Sequence, residues 1–280
     1  MKKKLALALS AMTLLTGCGN ISHDSITPVS REDGSGTRGA FVELFGIQEK
    51  DENGEKVDMT TDLAEITNST AVMLLTVTGN KNAIGYISMG SMNDAVKTLQ
   101  IDGVEATFEN IKNGSYKIAR PFNIAAKADA SPAARDFIRY ILSAEGQQIV
   151  EKNGYISRGN TGAYVPSQAK GNVVVSGSSS VAPVMEKIKE AYEAANPNVT
   201  IEMQQSDSTI GMNSLKEGMC DIGMASRELK ESELAAGLIP TVIAMDGIAV
   251  ITNHENPVNG LAGEDVKAIF QGKVDEWAEL

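Results

Sequence analysis

Short apolar runs alternate with segments of helical spacing along the whole chain after residue 25. Ile26–Ser30 reads as a strand, Arg38–Phe45 as a helix, Leu63–Val77 as partly helical and Ala83–Ser88 as a strand. The region 47–60 is charged and rich in turn residues, so it reads as a surface loop, and 97–119 suggests short strands around a loop. Pro121–Ala126 is a further strand. Ser131-Pro132 then opens a helix whose apolar positions Phe137, Ile138, Ile141, Leu142 and Ile149 recur at helical spacing. Gly154–Lys170 is an irregular connector. Beyond it come the strand Val173–Val175, a helix over Val181–Ala195 with Pro183 in its first turn and Asn196-Pro197 as its stop, and the strand Val199–Gln204. A helix over Thr209–Glu217, a strand over Asp221–Ala225, a helical stretch 228–236, a long apolar strand pair or crossover over Thr241–Thr252 and a helix Glu264–Phe270 complete the pattern. Strands alternating with helices predict an α/β fold with largely parallel sheets.

The first residues follow a different logic. Lys2, Lys3 and Lys4 precede an apolar stretch of 11 residues, Leu5–Leu15. A membrane-spanning helix needs about 20 residues, so the stretch fits the core of a secretory signal. It ends in Leu15-Thr16-Gly17-Cys18, which resembles the lipobox of bacterial lipoproteins. That resemblance implies cleavage after residue 17, a diacylglyceryl group on the Cys18 sulfur, and a mature protein anchored to a membrane rather than spanning it. Residues 18–25 are then a polar tether, and His23 is an exposed linker histidine.

Composition narrows the chemistry. The net charge is −11, which argues against sequence-independent binding of nucleic acid. Two cysteines and two histidines exclude a disulfide framework and disfavour a Cys/His zinc site. With Cys18 lipidated, Cys220 remains alone and reads as a small buried apolar residue. His254 lies in a turn-like Asn-His-Glu-Asn-Pro, so no Ser-His pairing is credible, and Walker A, H-E-x-x-H and G-x-S-x-G motifs are absent.

The informative feature is a strand, a Gly/Ser/Thr loop and a helix, occurring twice: around Gly34-Ser35-Gly36-Thr37 and around Ser176-Gly177-Ser178-Ser179-Ser180. Ser208-Thr209 opens a third helix. The first N–H groups of a helix have no partner in the helix and carry the positive end of its dipole. Glycine admits close approach, hydroxyls add donors without charge, and Arg31 beside the first loop can fork onto an oxyanion. Ser-Gly runs also serve as flexible linkers, but here each is bracketed by a strand and a helix. Gly34–Gly39 matches G-x-G-x-x-G as well. Three residues separate the strand from the first glycine, and no strand ending in an acidic residue follows about 20 residues on, so the dinucleotide reading is weak.

Val29–Arg38 resembles the phosphate-contacting loop of the substrate-binding proteins of Pst-type phosphate ABC importers. Ser176–Pro183 resembles that family's N-terminal loop, and Asn82–Tyr86, Asp221–Arg227 and Asp246–Val250 are similar to further family segments. The resemblance covers nearly all of 26–280. It implies a two-lobed type II periplasmic-binding-protein fold, no cofactor and no metal, hinge closure on phosphate, and delivery to membrane permease subunits. Ser179 would donate its hydroxyl and Ser180 its backbone N–H, and Ser208 would donate from the start of the third helix. Arg31 would supply the charged fork with Asp33 holding it, and Ser35, Gly36 and Thr37 would line the opposite wall.

Two departures stand out. Many members carry an aspartate where this chain has Ser226 and Arg227, so Arg227 would add positive charge and the proton acceptor is open. Asp207 and Asp246 are candidates, each also readable as a helix cap and a turn residue respectively. The family's loop order is also reversed, which implies a circular permutation with the old ends joined through 158–172. One lobe would be 117–244 and the other 26–116 with 245–280, in a monomer. Half-proteins swapped between chains, or a piece of a tandem chain, are the alternatives to it. For function, the alternatives are a receptor for sulfate, molybdate or a phosphonate, a phosphatase or dinucleotide-dependent enzyme, and a structural lipoprotein.

Overall fold

The computed structural model describes residues 25–52, 54 and 56–280; the signal segment and Cys18 lie outside them. The first half supplies β1 (Thr27–Arg31), α1 (Gly36–Leu44), β2 (Glu65–Thr67), α2 (Thr70–Gly79) and β3 (Ala83–Ser88). Then follow β4 (Ala119–Ala126), α3 (Pro132–Ile141), α4 (Ala144–Lys152), β5 (Gly171–Ser178), α5 (Ala182–Ala195), β6 (Val199–Ser206), α6 (Ser208–Glu217), β7 (Ile222–Ala225), β8 (Ile239–Thr252) and α7 (Gly263–Phe270). The main strands run in the order β6-β5-β7-β4-β8-β3-β1-β2.

Side-chain packing divides this sheet. Val29, Phe41, Tyr86, Ile118, Ile251 and Phe270 belong to one apolar core, drawn from residues up to Ile118 and from Ile248 onward. Phe122, Phe137, Val175, Ile188, Met224 and Ala244 belong to a second, and Met212, Leu215, Cys220 and Leu238 form a smaller one beside it. The chain leaves the first core along β4 and returns along β8. These two strands pair antiparallel, with Arg120 opposite Asp246 and Phe122 opposite Ala244, and the register slips between Val242 and Ala244. The passage between the two cores is thus made by two paired strands, and the register slip falls at that passage.

The sheet is mixed rather than largely parallel. β5 runs parallel to β6 and β7, and β1 to β2 and β3, but β4 and β8 cross in opposite directions because one leaves and the other returns. The Thr241–Thr252 segment is part of one 14-residue strand. The expected single helix after Ser131 is two, because Ser143 caps α4 by accepting the Gly146 N–H at 3.2 Å. In 47–60 a small hairpin pairs Gln48–Lys50 with Lys56–Asp58; its mostly exposed polar side chains give no apolar alternation to read. Within Leu63–Val77 the helix begins only at Thr70, after the Ser69 cap.

Candidate functional site

The geometry starts at the end of β1. Tyr86 stacks on Phe41, with centroids 3.9 Å apart, and its hydroxyl accepts the Arg31 backbone N–H at 3.1 Å and bonds Ser30 Oγ at 2.8 Å. Burial pushes the Tyr86 phenol up to about 12, so it stays protonated. Tyr86 therefore fixes the backbone from which Arg31 projects. Arg31 is buried and donates from Nε and Nη2 to both oxygens of Glu32 at 2.8 and 2.7 Å. The same Nη2 reaches Ser179 Oγ, in the other core, at 3.1 Å.

The loop after Arg31 is held by Arg38. Its Nη1 donates to the Arg31 carbonyl at 2.9 Å and pairs with Asp33 at 2.7 Å, while its Nε pairs with Asp58 at 2.8 Å. This corrects the expected role of Asp33: its side chain is 94% exposed and bound to Arg38, and Glu32, one residue earlier, holds Arg31. Arg38 is correspondingly a brace for this loop. Ser35 caps α1 by accepting the Arg38 N–H at 3.3 Å, leaving Gly36 and Thr37 as its first residues.

The opposite wall comes from β5, α5, α6 and β7. The Ser179 N–H bonds the Ser206 carbonyl at 3.0 Å, and the Ser180 N–H, expected to be a ligand donor, points to Ser178 Oγ at 3.3 Å. Asp207 caps α6 through Ile210 N–H at 2.8 Å, so Asp207 is a cap. Ser208 Oγ accepts the Ser226 N–H at 3.1 Å.

The two walls meet through hydroxyls. Thr70 Oγ1 lies 3.4 Å from Ser180 Oγ, Ser180 Oγ 2.8 Å from Thr37 Oγ1, Thr37 Oγ1 3.4 Å from Ser226 Oγ, and Ser226 Oγ 3.5 Å from Ser208 Oγ. All five side chains are buried. Thr209 ties the loops together, its N–H and hydroxyl both donating to the Gly34 carbonyl at 3.2 and 3.1 Å. The approach is close enough to require glycine: a Cβ on Gly36 would stand 2.5 Å from Ser208 Oγ and 2.8 Å from Ser226 Oγ. Of the residues singled out in the sequence, Arg31, Gly36, Thr37, Ser179, Ser180, Ser208 and Ser226 lie in one cluster of contacts, with Ser35 beside them as the α1 cap; Glu32, Tyr86 and Thr70, which the sequence reading did not single out, adjoin the same cluster. The pair Ser69-Thr70 repeats the motif of Ser208-Thr209, a signal hidden when Leu63–Val77 is read as one segment.

Arg227 does not supply free positive charge. It forks onto Glu233 at 2.8 and 2.7 Å, and although burial alone would raise the Glu233 carboxyl, the Arg227 and Lys230 hydrogen bonds bring it below its usual value. Asp246 is not a turn residue either. It is fully buried within β8, takes a hydrogen bond from Arg120 Nη2 at 3.1 Å and faces the Gly90 N–H at 3.4 Å. Burial, only partly offset by Arg120, pushes its carboxyl up to about 6. It sits at the crossing strands, not among the hydroxyls.

Chemically, the cleft offers a guanidinium, six hydroxyls that can donate and accept, Ser179 and the five of the chain, and the N-termini of α1, α2, α5 and α6. That set suits a small tetrahedral oxyanion. Comparison with known proteins points the same way. Residues 19–145 and 162–280 match the PBP superfamily domain. The chain is 55% identical to the phosphate-binding protein PstS 2 of Streptococcus agalactiae over 100% of this chain and 99% of that one. It is 31% identical to the phosphate-binding protein PstS of Bacillus subtilis, over 40% of this chain and 38% of that one. A crystal structure of a phosphate ABC transporter phosphate-binding protein from Streptococcus pneumoniae matches with a TM-score of 0.70 and 43% identity, covering 91% of this chain and 99% of that one.

Proposed function

From a chain that belongs to the PBP superfamily, and within it to the phosphate-binding proteins of phosphate importers, we propose an extracytoplasmic receptor that binds inorganic phosphate between two lobes and delivers it to the permease subunits of an ABC importer. The observation that carries this reading is the contact of Arg31 Nη2 with Ser179 Oγ, continued by the hydroxyl chain from Thr70 to Ser208. Side chains from both cores converge there on the space an anion would share.

Three further parts belong to the proposal. The lobes are 117–244 and 26–116 with 245–280, in permuted order, as a monomer. In support, Ile26 N–H bonds the Asp275 carbonyl at 2.7 Å, which puts the strand that opens one loop motif beside the last residues of the chain. The short match to the Bacillus subtilis protein is also what an alignment confined to one order would give. The second part is the anchor: Leu15-Thr16-Gly17-Cys18 fits lipid attachment, and among the described residues no helix is long and apolar enough to cross a membrane. The third is that the protein is a carrier and not an enzyme. The cleft pairs its hydroxyls with one another and with Arg31, while the described histidine, His254, is exposed and bonded to the Asp94 carbonyl at 2.9 Å.

Calorimetric titration of the full chain with phosphate, sulfate, molybdate and a simple phosphonate tests the reading. Phosphate is expected to give the tightest one-to-one complex. A tighter complex with one of the others would reassign the ligand, and no heat with any of them would remove the receptor reading.

A further inference from the structure

We infer that Thr70 is a further ligand of the bound oxyanion, making α2 the fourth helix to point its N-terminus at the site; this rests on the receptor reading above. α2 is a ten-residue helix capped by Ser69, whose Oγ accepts the Val72 N–H at 3.2 Å. Met73 N–H bonds the Ser69 carbonyl at 3.0 Å, so the N–H groups of Thr70 and Ala71 stand outside the helix's own ladder. Thr70 itself is 6% exposed and its hydroxyl faces Ser180 Oγ across the lobe boundary at 3.4 Å, a long contact. Ser180 Oγ is meanwhile bound closely to Thr37 Oγ1 at 2.8 Å. Thr70 thus sits at one end of the hydroxyl chain with a weakly engaged O–H. Buried hydroxyls are strongly biased toward full engagement, and an anion between the walls would supply the better acceptor. Its lone pairs also offer an acceptor for a proton on the anion. The carboxylates nearest the site are already committed: Glu32 to Arg31 and Asp207 to the α6 cap.

The test compares Thr70→Val, which keeps the shape and removes the hydroxyl, with Thr70→Ser, which keeps the hydroxyl. Ser69→Ala serves as a control that weakens the α2 cap without touching the Thr70 hydroxyl. Each full-length variant is titrated calorimetrically with inorganic phosphate and melted without it. Thr70→Val should bind phosphate roughly tenfold or more weakly, the scale of a lost hydrogen bond to a charged group. Thr70→Ser should stay near wild type, and Ser69→Ala should melt earlier while losing much less affinity than Thr70→Val. Thr70→Val binding as tightly as wild type, or Thr70→Ser failing as badly as Thr70→Val, would overturn the assignment. Absence of phosphate binding by the wild-type chain would instead strike the receptor reading itself.

Discussion

Replacing Arg31 with alanine is expected to weaken phosphate binding by roughly 30-fold to several thousand-fold, the equivalent of about 2–5 kcal/mol for a charged group removed from a desolvated site. Two consequences add up. The guanidinium that reaches Ser179 across the cleft disappears, and Glu32 is left as an unpaired carboxylate beside the anion. Arg38→Ala acts differently. Arg38 touches the Arg31 carbonyl, Asp33 and Asp58, so its loss loosens the loop and lowers thermal stability while removing no ligand. The check is calorimetry and thermal melting on both variants. Small and equal losses of affinity would remove Arg31 from the site.

Asp246→Ala is the most destabilising substitution expected. It leaves Arg120 buried with no counter-charge, and Arg120 already has Nε and Nη1 without a partner. Removing one member of a buried ion pair costs about 3–5 kcal/mol. The loss should appear as a lower melting temperature and earlier unfolding in denaturant. The pH dependence carries a definite sign. The Asp246 carboxyl is raised to about 6 in the folded state, above the usual carboxylate value, because burial outweighs the attraction of Arg120. The folded protein therefore holds this proton more tightly than the unfolded chain does. Between about pH 4 and 6 its contribution lowers stability as pH rises. Asp246→Asn should flatten that part of the stability profile, and an unchanged profile would show that Asp246 titrates normally.

Much of this arrangement was legible in the residues. Glycine and hydroxyl loops between strand and helix mark anion-binding turns because the chemistry is local: Ser35 caps its own helix, and Gly36 and Thr37 follow in sequence. The convergence of Ser179, Ser208 and Arg31 came with the family resemblance rather than from periodicity, since those contacts join residues over a hundred positions apart. What was misread depends on side-chain direction. Asp33 and Glu32 are equally acidic neighbours of Arg31, and only the bend of the loop turns one inward and the other to solvent. Arg227 looked like free charge because Glu233 comes from the next short helix. Asp246 beside a glycine resembled a turn, whereas it lies inside a long strand whose crossing partner supplies Arg120. Thr70 was hidden because the apolar residues of α2 extend the pattern backward over β2.

Two lobes of a single chain are proposed to close on phosphate about the β4–β8 crossing. Small-angle scattering of the full chain, recorded with and without saturating phosphate, tests it most directly. Monomer mass is expected in both conditions, with a smaller radius of gyration in phosphate as the population shifts toward the closed arrangement in which Thr37 and Ser180 are 2.8 Å apart. An unchanged radius, or the mass of a dimer, would contradict it.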